Sequence, residues 1–502
     1  MSATASADLD RQAKELKAER GFMGHPRAVG TLSWVVMCNS FANYGMSAVL
    51  VYYLYAQAPA GLGLDQMEAA QLITLYSACA TLAGLVGSYM ADRILGPRRA
   101  LGLARTLCAV AYTLLAVPFL GIAGYAMSQV LLCVAGMCAG RSSEALTRKM
   151  YEQGDDRCDG AFGIQYVINN VGAAVPALVG TIAMASGYHA AFALCAVISA
   201  AGAAGYLLTQ KKFFGPIGLE PDDPMPPKQA KTFVCALIAI VVVLVACGAY
   251  AFSSGLVTIS SFANAVSTVA IFVPIVYIVY IIKSKKCTPA ESRAVLYLVP
   301  LFICGSLTNV VFQQASSVLA VYAETSVDRN LFGMEVTPAI FSTLGAVFSI
   351  VFGAICTVLW TKLRKQPTTS AKMAFGSLVY GLSPLLMCLP FLLYPAGVKV
   401  SPMWLIGFWF VSMLGEAISC PVGYSLAAKV APVAFSTQMV TVWGLQGSLG
   451  AGISTIITNF YHEGGEVPYF LLLGGVCVVW SFIVLLFSKK IERGMGLLPE
   501  GE

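Results

Sequence analysis

The chain has 502 residues, and Lys, Arg, Asp and Glu together make up 11% of them, against about 25% in a soluble domain. Apolar residues make up 58% and the mean hydropathy is +0.75. This excludes a disordered chain, which needs low hydrophobicity and high net charge, and an ordinary soluble enzyme, which could not expose so much apolar surface. The net charge of +6 says little by itself, because the placement of the charges matters more.

A membrane-crossing helix needs about 20 mostly apolar residues. In chain order, such runs lie near 31–55, 70–91, 100–121, 125–147, 161–185, 188–209, 232–252, 256–282, 294–322, 337–361, 373–394, 402–427, 437–460 and 467–488. The expected fold is an all-α polytopic membrane protein with fourteen transmembrane helices. Residues 1–30 are polar and charged, so the first run reads as a signal-anchor and not a cleaved leader.

Orientation follows from counting Lys and Arg. The tail carries Arg11, Lys14, Lys17, Arg20 and Arg27. The alternate loops on its side hold clusters such as Arg93, Arg98 and Arg99, Arg148 and Lys149, Lys211 and Lys212, Lys283, Lys285 and Lys286, and Lys489 and Lys490. The opposite loops hold Arg329 and Lys399. Both termini are therefore expected in the cytoplasm. The proline- and charge-rich segment 210–231 reads as a cytoplasmic linker, and the very apolar 232–282 as two additional helices packed at the periphery against lipid. Arg105 stands near its helix start, where it can snorkel.

The cysteines lie singly in apolar runs without CxxC, as small embedded hydrophobes do. His25, His189 and His462 are far apart, which disfavours a histidine-based metal or catalytic site. No cofactor is expected. No P-loop or catalytic arrangement at membrane depth points to an enzyme or an ATP-driven pump.

A weak internal repeat is visible. Gly87-Ser88-Tyr89-Met90-Ala91-Asp92-Arg93-Ile94-Leu95-Gly96-Pro97-Arg98-Arg99 follows the second run; Gly353 to Lys365, running through Trp360, Lys362 and Arg364, takes the corresponding place in the second half. Each is a small-residue helix end entering a basic loop. Asp92 and Arg93 are gating candidates, since such a patch can latch one side shut; the alternative is a plain positive-inside anchor.

At this motif the chain resembles the major facilitator superfamily, and further stretches resemble its proton-coupled oligopeptide transporters. Asn39-Ser40-Phe41-Ala42-Asn43-Tyr44-Gly45-Met46-Ser47 is similar to the family's Glu-x-x-Glu-Arg-Phe-x-Tyr-Tyr-Gly-Met-Arg stretch. Tyr151-Glu152-Gln153-Gly154-Asp155-Asp156-Arg157 with Asn170 and Gly172, Phe312-Gln313-Gln314-Ala315-Ser316-Ser317, and Gly415-Glu416 through Pro421 to Lys429 resemble segments of helices 4–5, 7 and 10; Trp443 falls where the family has a helix 11 tryptophan. The resemblance covers about 31–488. It implies the major facilitator fold: a six-helix bundle over 31–209, the linker 210–231, two additional helices within 232–282, a second bundle over 294–488 and a cytoplasmic tail 489–502.

The departures are equally specific. The positions of the family's helix 1 acids hold Val36 and Asn39, its arginine is Ser40, the later arginine is Ser47, and the helix 7 glutamate is Gln313. Glu416 keeps an acid at mid-span, where charge costs at least about 2.5–3.5 kcal/mol and usually marks a pathway. It is the candidate proton-coupling group and substrate partner, a structural hydrogen bond being the alternative. Arg141 and Glu144 stand three apart on one helix; either they neutralise each other, or Arg141 binds a substrate carboxylate. Arg141 and Glu416, with Asn43, Tyr44, Asn170, Asn309, Gln313, Gln314 and Trp443, form the candidate substrate-binding set.

The resemblance implies a monomeric secondary transporter in the bacterial cytoplasmic membrane. It would move di- or tripeptides or peptide-like molecules by alternating access, coupled to protons, with no nucleic-acid partner. Amides do not titrate, so a proton-independent facilitator or exporter of a less charged molecule, or a non-transporting nutrient sensor, are the rival readings.

Overall fold

The computed structural model describes residues 3–498 except 140, 153–154, 156, 222–223, 332, 363–366, 396, 433–434, 436–438, 440–441 and 463. It is helical along nearly all of its described length. A two-residue hairpin, Asn330–Leu331 against Met334–Glu335, interrupts the helices.

The helices are α1 (Ala3–Ala18), α2 (Arg27–Tyr55), α3 (Gln66–Met90), α4 (Pro97–Ala116), α5 (Gly121–Ala139), α6 (Ser142–Lys149), α7 (Arg157–Ala173), α8 (Pro176–Ser186), α9 (Tyr188–Phe214), α10 (Pro227–Ser253), α11 (Ile259–Lys283), α12 (Pro289–Ser316), α13 (Val318–Thr325), α14 (Ile340–Lys362), α15 (Thr369–Leu386), α16 (Cys388–Leu393), α17 (Met403–Val430), α18 (Gln446–Thr458), α19 (Glu466–Leu486) and α20 (Ser488–Gly494). Helices satisfy their own backbone groups, which hydrocarbon requires. Among the described residues, eleven helical stretches are long and apolar enough to cross a membrane; α14 and α17 carry two more apolar stretches, Ile340–Cys356 and Met403–Ser419. The expected span 437–460 lies partly outside the described residues and ends in α18. Each of the fourteen apolar runs is thus helical over most of its described residues.

Several spans are broken. The fourth divides at Arg141, which precedes α6 with φ −99° and ψ 35°. The fifth divides ahead of Pro176, the first residue of α8. The ninth divides at Ser317, between α12 and α13. Proline lacks the N–H that would continue a helix. At its other end α12 starts on a capping box: the Thr288 hydroxyl accepts from the Glu291 N–H at 3.3 Å and the Glu291 carboxylate from the Thr288 N–H at 2.8 Å.

The chain forms two compact units. One comprises Met1–Val49, Ala60–Leu62 and Leu82–Ser261; the other comprises Leu50–Pro59, Gly63–Thr81 and Phe262–Glu502.

In the first unit α4 packs on α5 and α9. Small residues let helices approach closely in lipid: the Cα of Gly202 faces Cys38 of α2, Gly45 faces Val179 and Cys195, and Gly172 faces the backbone at Met37. The tail is not loose, since α1 lays Leu16 and Gln12 against Gly215. Nor is the start of the 210–231 segment. Phe214 and Ile217 are buried, and the N–H of Arg98 donates to the carbonyl of Gly218 at 2.9 Å.

In the second unit α15 packs on α17 and α19. The backbones of Gly376 and Gly415 meet so closely that a Cβ on either would sit 2.6–2.7 Å from the other's carbonyl oxygen. The pair 232–282 corrects the expectation of two lipid-facing helices. In α10 none of the most apolar stretch is buried, as expected. In α11, however, Ala263, Ser267, Ala270, Pro274, Ile278 and Ile281 form a buried stripe, seated in part on Gly452 of α18.

Candidate functional site

The first unit holds the helix 1 candidates. Asn39 and Asn43 stand one turn apart on one face of α2, where residues four apart are neighbours. Tyr44 is more exposed, at 38%. Arg105 does not snorkel, which corrects that expectation. Its Nη1 donates to the Oδ1 of Asn39, and its Nε is buried without a hydrogen-bond partner. Ser40 donates from its hydroxyl to Asn169 of α7. The neighbouring Asn170 is 8% exposed and turns back to donate to the carbonyl of Tyr166 at 2.9 Å. Its donor is thus engaged with its own helix, and Asn169 makes the interhelical contact in its place.

Arg141 and Glu144 approach to 3.7 Å with about half of each side chain exposed (54% and 51%). Both alternatives read from the sequence start from this geometry, because a local pair at the helix break also leaves the guanidinium accessible.

The gating candidates lie in a short π-helical turn, Ala91–Leu95. The Arg93 guanidinium sits 5.9 Å from the Tyr89 ring centroid, and its carbonyl accepts from the Met225 N–H at 2.9 Å. Of the charged residues of the motif, Arg98 is the buried one. Its guanidinium donates to the carbonyl of Gly215, and its own carbonyl accepts from the Tyr206 hydroxyl at 2.9 Å. Gly96 has φ +74°, and a Cβ there would lie 2.5 Å from the carbonyl oxygen of Leu219. The motif therefore clasps the end of α9 and the segment after it. In the second half the corresponding stretch ends in residues 363–366, which lie outside those described.

The second unit holds the remaining candidates. Glu416 lies 13 residues into the 28-residue α17, about 20 Å along its axis, beside the Gly376–Gly415 crossing. It is partly exposed, and among the described residues no ion pair reaches it. Asn309 donates to the carbonyl of Gly305 at 2.8 Å and packs against Gly450. Gln313 is partly exposed, and its carbonyl accepts from the Ser317 hydroxyl at 2.8 Å.

Two candidates turn out to be core residues. Gln314 is fully buried; its Nε2 donates to Ser454 at 2.6 Å and its Oε1 accepts from the Tyr469 hydroxyl at 2.6 Å. Both ends of the amide join α12, α18 and α19 and are spent there. Trp443 is 1% exposed, with its ring 6.0 Å from that of Phe302 and its face against Gly423. These contacts correct the reading of both as substrate ligands, because a side chain closed in on every side offers no surface.

A set that the sequence reading missed joins helix ends within the second unit. Gln71 donates to Asn459 at 2.5 Å, Asn459 donates to Asn264 at 2.9 Å, Thr455 donates to Thr74 at 2.7 Å, and Tyr52 donates to the carbonyl of Ala320 at 3.1 Å. Polar residues near the ends of apolar runs look like ordinary boundary residues, so no periodicity marks them.

A profile of the POT family matches residues 143–470. The di-/tripeptide transporter of Lactococcus lactis subsp. cremoris is 32% identical over 490 residues, 96% of this chain and 98% of its own. The crystal structure of a peptide transporter POT in complex with sulfate superposes with a TM-score of 0.91 at 33% identity, covering 96% of this chain and 99% of that one. A POT family transporter in complex with 5-aminolevulinic acid gives a TM-score of 0.88 at 30% identity, covering 94% and 98%. Sequence and fold agree over nearly the whole length, and the chain belongs to the POT family of transporters.

Proposed function

We propose that the protein is a secondary transporter of di- and tripeptides or peptide-like small molecules, working by alternating access in symport with protons. The observation that carries the substrate class is the end-to-end likeness to a di-/tripeptide transporter; the ligand-bound relative with 5-aminolevulinic acid supports extending it to small amino-acid-like molecules. Coupling falls to Glu416, a carboxylate at mid-span beside a close helix crossing. The residues proposed to meet substrate are Asn43, Tyr44 and Arg141 in the first unit and Asn309, Gln313 and Glu416 in the second, with the bundles 31–209 and 294–488 as the moving bodies. The protein works as a monomer in the bacterial cytoplasmic membrane with both termini in the cytoplasm, a topology supported by the distribution of Lys and Arg.

A proton-independent facilitator is the second reading, favoured by the amides Asn39 and Gln313 at positions where the family has acids. Peptide uptake into proteoliposomes with and without an inward proton gradient separates the two. The symporter is stimulated by the gradient, and Glu416→Gln abolishes binding or the stimulation. Exchange that is intact in the parent protein and indifferent to the gradient would sink the symport reading.

A further inference from the structure

We infer that Arg105 binds the anionic group of the transported substrate, a carboxylate, and thereby sets a preference for anionic over neutral ligands. This rests on the peptide-transport reading and assigns one of its specificity determinants.

Arg105 is the ninth residue of the 20-residue α4, about 12 Å along its axis, well inside a hydrocarbon core about 30 Å thick. A long side chain near a helix start normally reaches for the interface. This one reaches across to α2 and donates to Asn39, itself the thirteenth residue of a 29-residue helix. Asn39 is a neutral acceptor. It stands where the resembling helix 1 stretch has an acid, and the other acid of that stretch is Val36. Among the described residues no carboxylate pairs with Arg105, and its buried Nε has no acceptor.

A guanidinium stays charged throughout the working pH range. An uncompensated charge at membrane depth is costly, and such residues mark pathways. Among the described residues this cation has no anion beside it, so the anion comes from the ligand. The guanidinium has five N–H donors in a planar fork, and the bond to Asn39 uses one. The remaining donors suit a bidentate carboxylate. Asn39 orients the fork, and Asn43 lies one turn further along the same face of α2.

The test compares binding of dialanine and of its C-terminal amide to the purified full-length protein in nanodiscs. The parent protein binds the acid more tightly by about tenfold or more, the scale of a charge-assisted pair. Arg105→Gln removes that preference and leaves the affinity for the amide within a factor of about two. Asn39→Asp keeps Arg105 and supplies an internal acid at nearly unchanged shape; it lowers affinity for dialanine about tenfold and spares the amide. If Arg105→Gln does not fold, Asn39→Asp decides alone. Variants that keep the parent preference, or a parent that binds both ligands equally, overturn the assignment of Arg105. A parent that binds neither ligand overturns the peptide reading and this assignment together.

Discussion

The side-chain amide of Gln71, near the start of α3, donates to that of Asn459, 388 residues further on, at 2.5 Å. Asn459 passes the contact to Asn264 of α11 at 2.9 Å, and one turn back along α18 Thr455 donates to Thr74 at 2.7 Å. Three helices are joined at their ends by groups that do not titrate. The contact therefore holds equally at any working pH, and α11 takes part in it.

Asn459→Ala removes the acceptor of Gln71 and the donor to Asn264. Because Asn459 is exposed, the cost is about 1 kcal/mol, the usual net worth of a hydrogen bond. Hydrogen–deuterium exchange is expected to rise in residues 66–75 and 259–268 together. A rise in the first stretch alone would show that α11 is not part of the contact.

Gln314→Leu replaces a fully buried amide by an apolar side chain of similar size. Ser454 and Tyr469 then each lose a partner, and a buried polar group left unpaired costs about 1–3 kcal/mol. Thermal unfolding in nanodiscs is expected to show a clear drop, whereas Gln313→Leu, at a partly exposed position, leaves the midpoint nearly unchanged. Equal effects at the two positions would contradict the assignment of Gln314 to the core.

Gly96→Ala meets two obstacles: φ +74°, and a carbonyl oxygen 2.5 Å from the new Cβ. A strained left-handed residue costs about 1–3 kcal/mol before any clash. The expected outcome is faster proteolysis within 215–231, because the turn that docks this segment is displaced. Gly84→Ala, where the added atom meets open space, serves as the control.

His25 lies outside the spans, 2.7 Å from the hydroxyl of Tyr151. Burial first, and then the Arg157 guanidinium, push its pKa below the usual 6.5, with Asp155 opposing. Burial pushes the Tyr151 hydroxyl up to about 12, so it stays protonated. Asp155 is held low by its hydrogen bonds to Arg157 and does not titrate in the same window. A histidine whose folded pKa is depressed contributes stability above 6.5, and that contribution is lost as pH falls through the folded pKa. Exchange protection of residues 20–27 is expected to weaken on going from about pH 7.5 to about pH 5.5, and His25→Gln is expected to flatten that change.

The sequence by itself determined the fold class, because lipid leaves a chain of this composition one option. Each long apolar run must close its own hydrogen bonds as a helix, and that constraint is local. It also marked Glu416 and the Gly87–Arg99 motif, since acids at mid-span and glycine–proline turns are visible one residue at a time. Tertiary structure alone decided which polar side chains are free to meet a ligand. Gln313 and Gln314 are adjacent and chemically identical, yet one is partly exposed and the other is consumed by Ser454 and Tyr469. Arg105 reads as a boundary residue in the sequence and lies against Asn39 in the fold. Hydrogen-bond partners come from helices tens to hundreds of residues away, so side-chain accessibility is a property of the packing and is not encoded in any local pattern.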